Sequence, residues 1–114
     1  MPYLDYAASA PLRAEALAAM QPLLERPAAN PSSQHGPGRA ARAAVETARE
    51  QVAALVGAAP GEVVFTSGGT EADNLAVKGA LLARPEGARG LVCTAVEHHA
   101  VLDAAAWAEA DAGA

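Results

Sequence analysis

Val63-Val64-Phe65-Thr66-Ser67-Gly68-Gly69-Thr70-Glu71-Ala72-Asp73-Asn74 is the stretch that decides how the rest of this chain is read. Its first three residues have the β-branched and aromatic make-up of a buried strand. The run breaks at Ser67-Gly68-Gly69-Thr70, and a helical pattern follows through Leu75, Ala76, Leu81 and Leu82. A strand, a glycine turn and a helix start form a physical device. The glycines let backbone approach a ligand closely, the first N–H groups of the helix point into the same space, and the helix dipole favours an anion there, usually a phosphate. The spacing matches neither G-x-x-x-x-G-K-[ST] nor G-x-G-x-x-G. On pattern alone an ordinary capped turn reads as well as a phosphate cradle, with Thr70 and Asp73 as a simple N-cap pair.

Downstream, the expected helix runs from about Glu71 to Ala83 and ends at Arg84-Pro85-Glu86-Gly87. Leu91-Val92-Cys93-Thr94 reads as a second short strand, and Ala95-Val96-Glu97-His98-His99 leads into a helix through about Ala112. Alternation of strand and helix is the rhythm of an α/β protein with a parallel sheet. Two strands alone do not make a stable parallel sheet, so the sheet is expected to be incomplete.

Upstream, Tyr3 to Tyr6 reads as a short extended entry, followed by a helix over about 12–25 that starts near Pro11 and carries Pro22 inside it. Residues 26 to 38, R-P-A-A-N-P-S-S-Q-H-G-P-G, form a loop dense in Pro, Gly, Ser and Asn, either a linker or a shaped loop at a site. Arg39 to Val56 is the clearest helix, with Ala43, Val45, Val52, Leu55 and Val56 on one broad face and Gly57 as its C-cap.

The composition sets limits. With 114 residues the chain has room for one small domain with a single core, and with aromatics at 4% that core would be built from Ala, Leu and Val. The net charge of −5 and the lack of a basic run argue against nucleic acid as a partner. The start has neither the basic n-region nor the apolar run of a signal peptide, and nothing approaches a membrane span. A single cysteine, Cys93, fits a reducing, cytoplasmic compartment.

Few side chains stand out as chemistry. His98 follows the second strand at its C-terminal edge, where α/β ligand sites lie. It reads as a general base or, more plainly, as a cap of the next helix, and the spacing of its neighbours does not make a metal site. Cys93 inside an apolar strand reads as a small buried hydrophobe. Lys78, the only lysine, falls mid-helix and is expected to face solvent. Glu71 and Asp73 sit in a first helical turn, where acids suit the dipole without any catalytic role.

Together these segments resemble the cysteine desulfurases of the class V aminotransferase family, which depend on pyridoxal 5'-phosphate. The resemblance is carried by Y-L-D-Y-A-A-S-A-P at 3–11, N-P-S-S-Q-H at 30–35, Ala53-Ala54-Leu55-Val56-Gly57, V-V-F-T-S-G-G-T-E-A-D-N at 63–74, Lys78-Gly79 and E-H-H-A-V-L-D at 97–103, in family order over almost the whole chain. It implies the N-terminal segment and start of the large domain of a fold-type-I transferase, with no complete second domain. It also implies that Gly69 and Thr70 hold the cofactor phosphate, that Ser67 and Gly68 shape the turn, and that His98 stacks on the pyridine ring. His35 and Asn30 would lie near the active-site mouth.

The family's Schiff-base lysine, its pyridine-nitrogen aspartate and its persulfide cysteine have no counterpart here. The resemblance therefore implies the first third or so of such an enzyme, inactive alone. The implied activity takes sulfur from L-cysteine, gives L-alanine, and passes a persulfide sulfur to an acceptor protein, for instance in iron–sulfur cluster assembly. The implied full-length state is a homodimer. A selenocysteine lyase, another aminotransferase of the superfamily, or a non-catalytic dimerisation module are the alternatives. The family topology further implies that strands 62–66 and 91–95 run parallel without pairing, where a simple βαβ unit would pair them.

Overall fold

The computed structural model describes residues 2–26, 29–85 and 90–111. Four α-helices and one 3-10 turn are seen: α1 (Ala14–Leu24), α2 (Gly36–Val56), the 3-10 turn (Pro60–Glu62), α3 (Gly69–Leu82) and α4 (His99–Asp111). The expected loop positions Pro27 and Ala28, the stop at Glu86-Gly87 and the helix end at Ala112 lie outside the described residues. The chain divides into two compact units, Met1–Val63 and Val64–Ala114, where the sequence suggested a single core. The small side chains explain the difference. Alanine buries little apolar area, so each contact contributes little to a shared core.

In the first unit, α2 is the best-formed element. His35 caps its start: the imidazole Nδ1 accepts the Gly38 N–H at 3.2 Å. Pro37 lies in the first turn, where its missing N–H costs nothing. At the other end Gly57 takes the left-handed conformation (φ 72°), and the N–H of Ala58 reaches the Ala53 carbonyl at 2.9 Å, as in a Schellman-type end. The buried residues of α2 are Gly38 and Ala53. Val52, Leu55 and Val56, expected on the packed face, are exposed. The helix packs instead on the 3-10 turn, and the Arg49 guanidinium donates to the Val63 carbonyl. That turn is closed by Glu62, whose carboxylate accepts the Ala59 N–H at 2.7 Å. Helix α1 starts two residues later than expected, carries Pro22 internally and buries no residue.

The second unit is α3 packed on α4. Ala100, Ala104 and Ala108 recur every four residues and are buried, and Leu81 is the buried residue of α3. Four-residue spacing puts the three alanines on one stripe of α4, which lets a neighbouring backbone come close.

The sheet is where expectation and structure part. No β-strand occurs among the described residues. Glu62 belongs to the 3-10 turn, and 64–66 and 91–94 are not strands. No backbone hydrogen bond joins 64–66 to 91–94. Val64 and Phe65 are exposed, and Val92 is 97% exposed. Cys93 is exposed with them, against its reading as a buried hydrophobe. A strand exists only through a partner strand, and neither stretch finds one in the other.

Candidate functional site

The turn at 67–70 opens into a helix as its sequence suggested, but no strand precedes it among the described residues and the helix starts two residues before the expected Glu71. Ser67 and Gly68 form a bend, and Gly69 and Thr70 are the first residues of α3. Gly68 is the N-cap with extended backbone (φ 167°, ψ −178°), so the cap is not Thr70, which lies inside the helix. The Gly68 carbonyl is held twice. It accepts the Ala72 N–H at 3.1 Å and the Thr66 hydroxyl at 3.1 Å.

One side chain organises this bend, and the sequence reading passed over it. Oε2 of Glu71 accepts the Ser67 N–H at 2.7 Å and the Ser67 hydroxyl at 2.6 Å. The hydroxyl bond first, then the backbone bond, lowers the Glu71 pKa below its ordinary value of 4.5. Both favour the charged carboxylate. An acid at the third helical position reaching back past the N-cap is one half of a capping box, and it was the one signal that could have revealed the pair.

With Ser67 committed to Glu71, the open donors are those of the first helical turn. The N–H groups of Gly69, Thr70 and Glu71 precede the first intrahelical bond, which Ala72 makes, and find no acceptor among the described residues. A Cβ built on Gly68 or on Gly69 meets nothing within 4 Å, so the two glycines are not crowded on their Cβ side. Unpaired first-turn amides, a nearby threonine hydroxyl and the positive end of a helix fit the phosphate of a cofactor such as pyridoxal 5'-phosphate. Asn74 braces the turn from behind, its side-chain amide donating to the Thr70 carbonyl at 2.9 Å.

His98 stands at the start of the other helix of this unit. Its Nδ1 accepts the Ala100 N–H at 3.1 Å, so the plain reading of this residue as a helix cap holds. The cap also fixes the ring: with Nδ1 accepting, the neutral imidazole carries its proton on Nε2. The His98 ring meets that of His99 edge-on, with centroids 6.4 Å apart and planes at 70°. No hydrogen bond or ring contact joins it to Ser67–Thr70 among the described residues. Glu97, next to it, accepts the Thr94 hydroxyl at 2.8 Å.

Lys78 does not simply face solvent as expected. It is half-buried with its ammonium over the ring of Trp107. In the first unit, Asn30 and His35 build a tight loop. The Asn30 side chain accepts the Ser32 N–H at 2.8 Å, the Asn30 carbonyl accepts the Ser33 N–H at 2.9 Å, and Arg42 ties Pro31 down at 3.0 Å. Among the described residues, no group of His, Cys, Asp and Glu is placed to hold a metal ion, and no helix is long and apolar enough to cross a membrane.

A family model described as aminotransferase class V matches residues 2–114. The chain is 50% identical over 101 residues to the cysteine desulfurase IscS of Dictyoglomus turgidum, an overlap of 89% of this chain and 26% of that protein. It is 51% identical over 110 residues to an IscS-like cysteine desulfurase of Mycobacterium tuberculosis, covering 94% of this chain and 28% of the relative. With a cysteine desulfurase IscS of Methanosarcina thermophila it shares 40% identity over 107 residues, 94% of this chain and 26% of that one. The chain thus spans about a quarter of the length of the curated relatives it matches.

Proposed function

The chain belongs to the class-V aminotransferase family, and from that membership we propose that it is the N-terminal portion of a pyridoxal 5'-phosphate-dependent cysteine desulfurase. Such an enzyme takes L-cysteine as substrate, yields L-alanine, and leaves the sulfur as an enzyme persulfide for an acceptor protein. The observation that carries the reading is the bend at Ser67-Gly68 opening into a helix whose first amides are unpaired among the described residues.

Within this reading Gly69 and Thr70 bind the cofactor phosphate through their N–H groups and the Thr70 hydroxyl. Ser67 and Gly68 give the turn its shape and take no direct part in holding the phosphate. His98 presents its ring to the pyridine, oriented by its bond to Ala100, with the Nε2 proton turned away from the helix. When bound, the cofactor supplies the electron sink that weakens bonds at the substrate α-carbon. The lysine, aspartate and cysteine of that chemistry are not provided by Lys78 or Cys93. Lys78 is engaged with Trp107, and Cys93 sits on the exposed 91–94 stretch.

The stretches at 64–66 and 91–94 are proposed as strands of the fold-type-I sheet, parallel and separated by strands from elsewhere in the protein. Family membership fits that α/β class. A homodimer in the cytoplasm completes the proposal.

The test uses the protein encoded by the complete reading frame, assayed for alanine formed from L-cysteine in the presence of pyridoxal 5'-phosphate. The proposal expects turnover that a Thr70→Ala substitution reduces mainly through cofactor affinity. Turnover of L-selenocysteine without L-cysteine would point to a lyase of the same family, and no turnover of either would overturn the proposal.

A further inference from the structure

Seven potential donors crowd the bend before α3: the N–H groups of Ser67 to Glu71 and the hydroxyls of Ser67 and Thr70. An anion arriving here could be held in several ways, and a bend with Gly68 and Gly69 side by side has backbone freedom to match. The structure removes that freedom in a specific manner. One oxygen, Oε2 of Glu71, takes both donors of Ser67, at 2.7 Å and 2.6 Å, while the amides of Gly68 to Glu71 have no acceptor among the described residues. The carboxylate thus holds the residue two positions before Gly69.

We propose that Glu71 is a positioning residue for the phosphate cradle: it fixes the Ser67–Gly68 bend and withdraws both Ser67 donors, so that a cofactor phosphate is read by the donors that follow Ser67, those of Gly69 and Thr70 among them. The inference rests on the phosphate-binding reading given above and goes beyond it by naming what sets the shape of the site. Two further bonds act in the same direction, since the Gly68 carbonyl is held by Thr66 and by Ala72. Neither can replace Glu71, because both act on Gly68 and leave Ser67 untied.

Because both bonds end on one oxygen, an uncharged acceptor of the same reach can keep the bend, though more weakly than the carboxylate does. A glutamine at this position retains a carbonyl oxygen of the same reach, whereas alanine retains none. Removing the charge also lessens repulsion toward an incoming phosphate, so the two substitutions separate positioning from competition.

The experiment is a titration of the apo-protein from the complete reading frame with pyridoxal 5'-phosphate and, in parallel, with pyridoxal, which lacks the phosphate. Glu71→Ala is expected to weaken binding of the phosphorylated ligand about tenfold, the scale of one charge-assisted hydrogen bond. Glu71→Gln is expected to lose clearly less than Glu71→Ala, and neither substitution should alter pyridoxal binding. Unchanged or tighter binding by Glu71→Ala would overturn the inference and leave the cradle intact. A loss in Glu71→Gln equal to that in Glu71→Ala, or an equal loss for pyridoxal, would overturn it as well. If the parent does not distinguish the two ligands, the phosphate reading itself fails, and the inference falls with it.

Discussion

The ammonium of Lys78 lies 5.0 Å from the centroid of the Trp107 ring, joining α3 to α4 across the second unit. Elsewhere this helix pair relies on small residues, with Ala100, Ala104 and Ala108 buried along α4. An aromatic ring and a half-buried cation thus supply the large side chains that the alanine stripe lacks. A double-mutant cycle with Lys78→Gln and Trp107→Leu should show a coupling of about 0.5–2 kcal/mol in urea unfolding. Additive single effects would remove the contact from the energetics of the pair.

The same contact bears on chemistry. An amine held over an aromatic ring is not free to anchor a cofactor. The chain incubated with pyridoxal 5'-phosphate and L-cysteine should show no alanine formation and none of the long-wavelength absorbance of a lysine-bound cofactor. A band that vanishes in Lys78→Gln would mean that Lys78 has been recruited.

Gly38 offers a test of the loop before α2. A Cβ there would meet the Ser33 carbonyl oxygen, the Ser33 Cβ at 2.7 Å and the Asn30 carbonyl oxygen at 2.9 Å. Gly36, two residues earlier, has open space around it. Gly38→Ala should therefore destabilise by about 1–3 kcal/mol, the scale of overpacking, despite alanine's better helix propensity. Gly36→Ala should be neutral or mildly stabilising. Equal effects of the two, measured by thermal unfolding, would contradict the close approach of loop and helix.

Glu71 gives a pH dependence whose sign is fixed. Its folded pKa lies below the ordinary 4.5, held down by the two Ser67 bonds. A depressed carboxylate contributes stability that is present above the unfolded value and is lost as pH falls through the folded one. The bend before α3 should thus loosen only below about pH 4.5, followed through the Ser67 amide resonance, and Glu71→Gln should flatten that profile. A transition near neutrality would assign it to another group.

Much of this was legible in the sequence because it is local. Gly57 marks the end of α2 with left-handed backbone and was read as its cap, whereas the helix starts at Gly36, three residues before the expected Arg39, because His35 and Pro37 of the expected loop cap and open it. The bend at Ser67-Gly68 and the start of α3 are equally local. The strands were not legible in the same sense. Val63-Val64-Phe65 and Leu91-Val92-Cys93 carry strand composition, but pairing depends on partners distant in sequence, and these two stretches do not serve each other. Lys78 was misread for a similar reason: its partner, Trp107, lies on another helix, and helical spacing within α3 cannot show it. Glu71 was overlooked because an acid in a first helical turn already has a sufficient explanation in the dipole, which conceals its bonds to Ser67.

The central claim is that the amides of Gly69 and Thr70 receive a phosphate, and amide NMR of the chain titrated with pyridoxal 5'-phosphate tests it most directly. The account expects the Gly69 and Thr70 resonances to shift with pyridoxal 5'-phosphate and to stay in place with pyridoxal, while the Ser67 amide, already bonded to Glu71, moves little. Shifts confined to other residues, or identical shifts with both ligands, would contradict it.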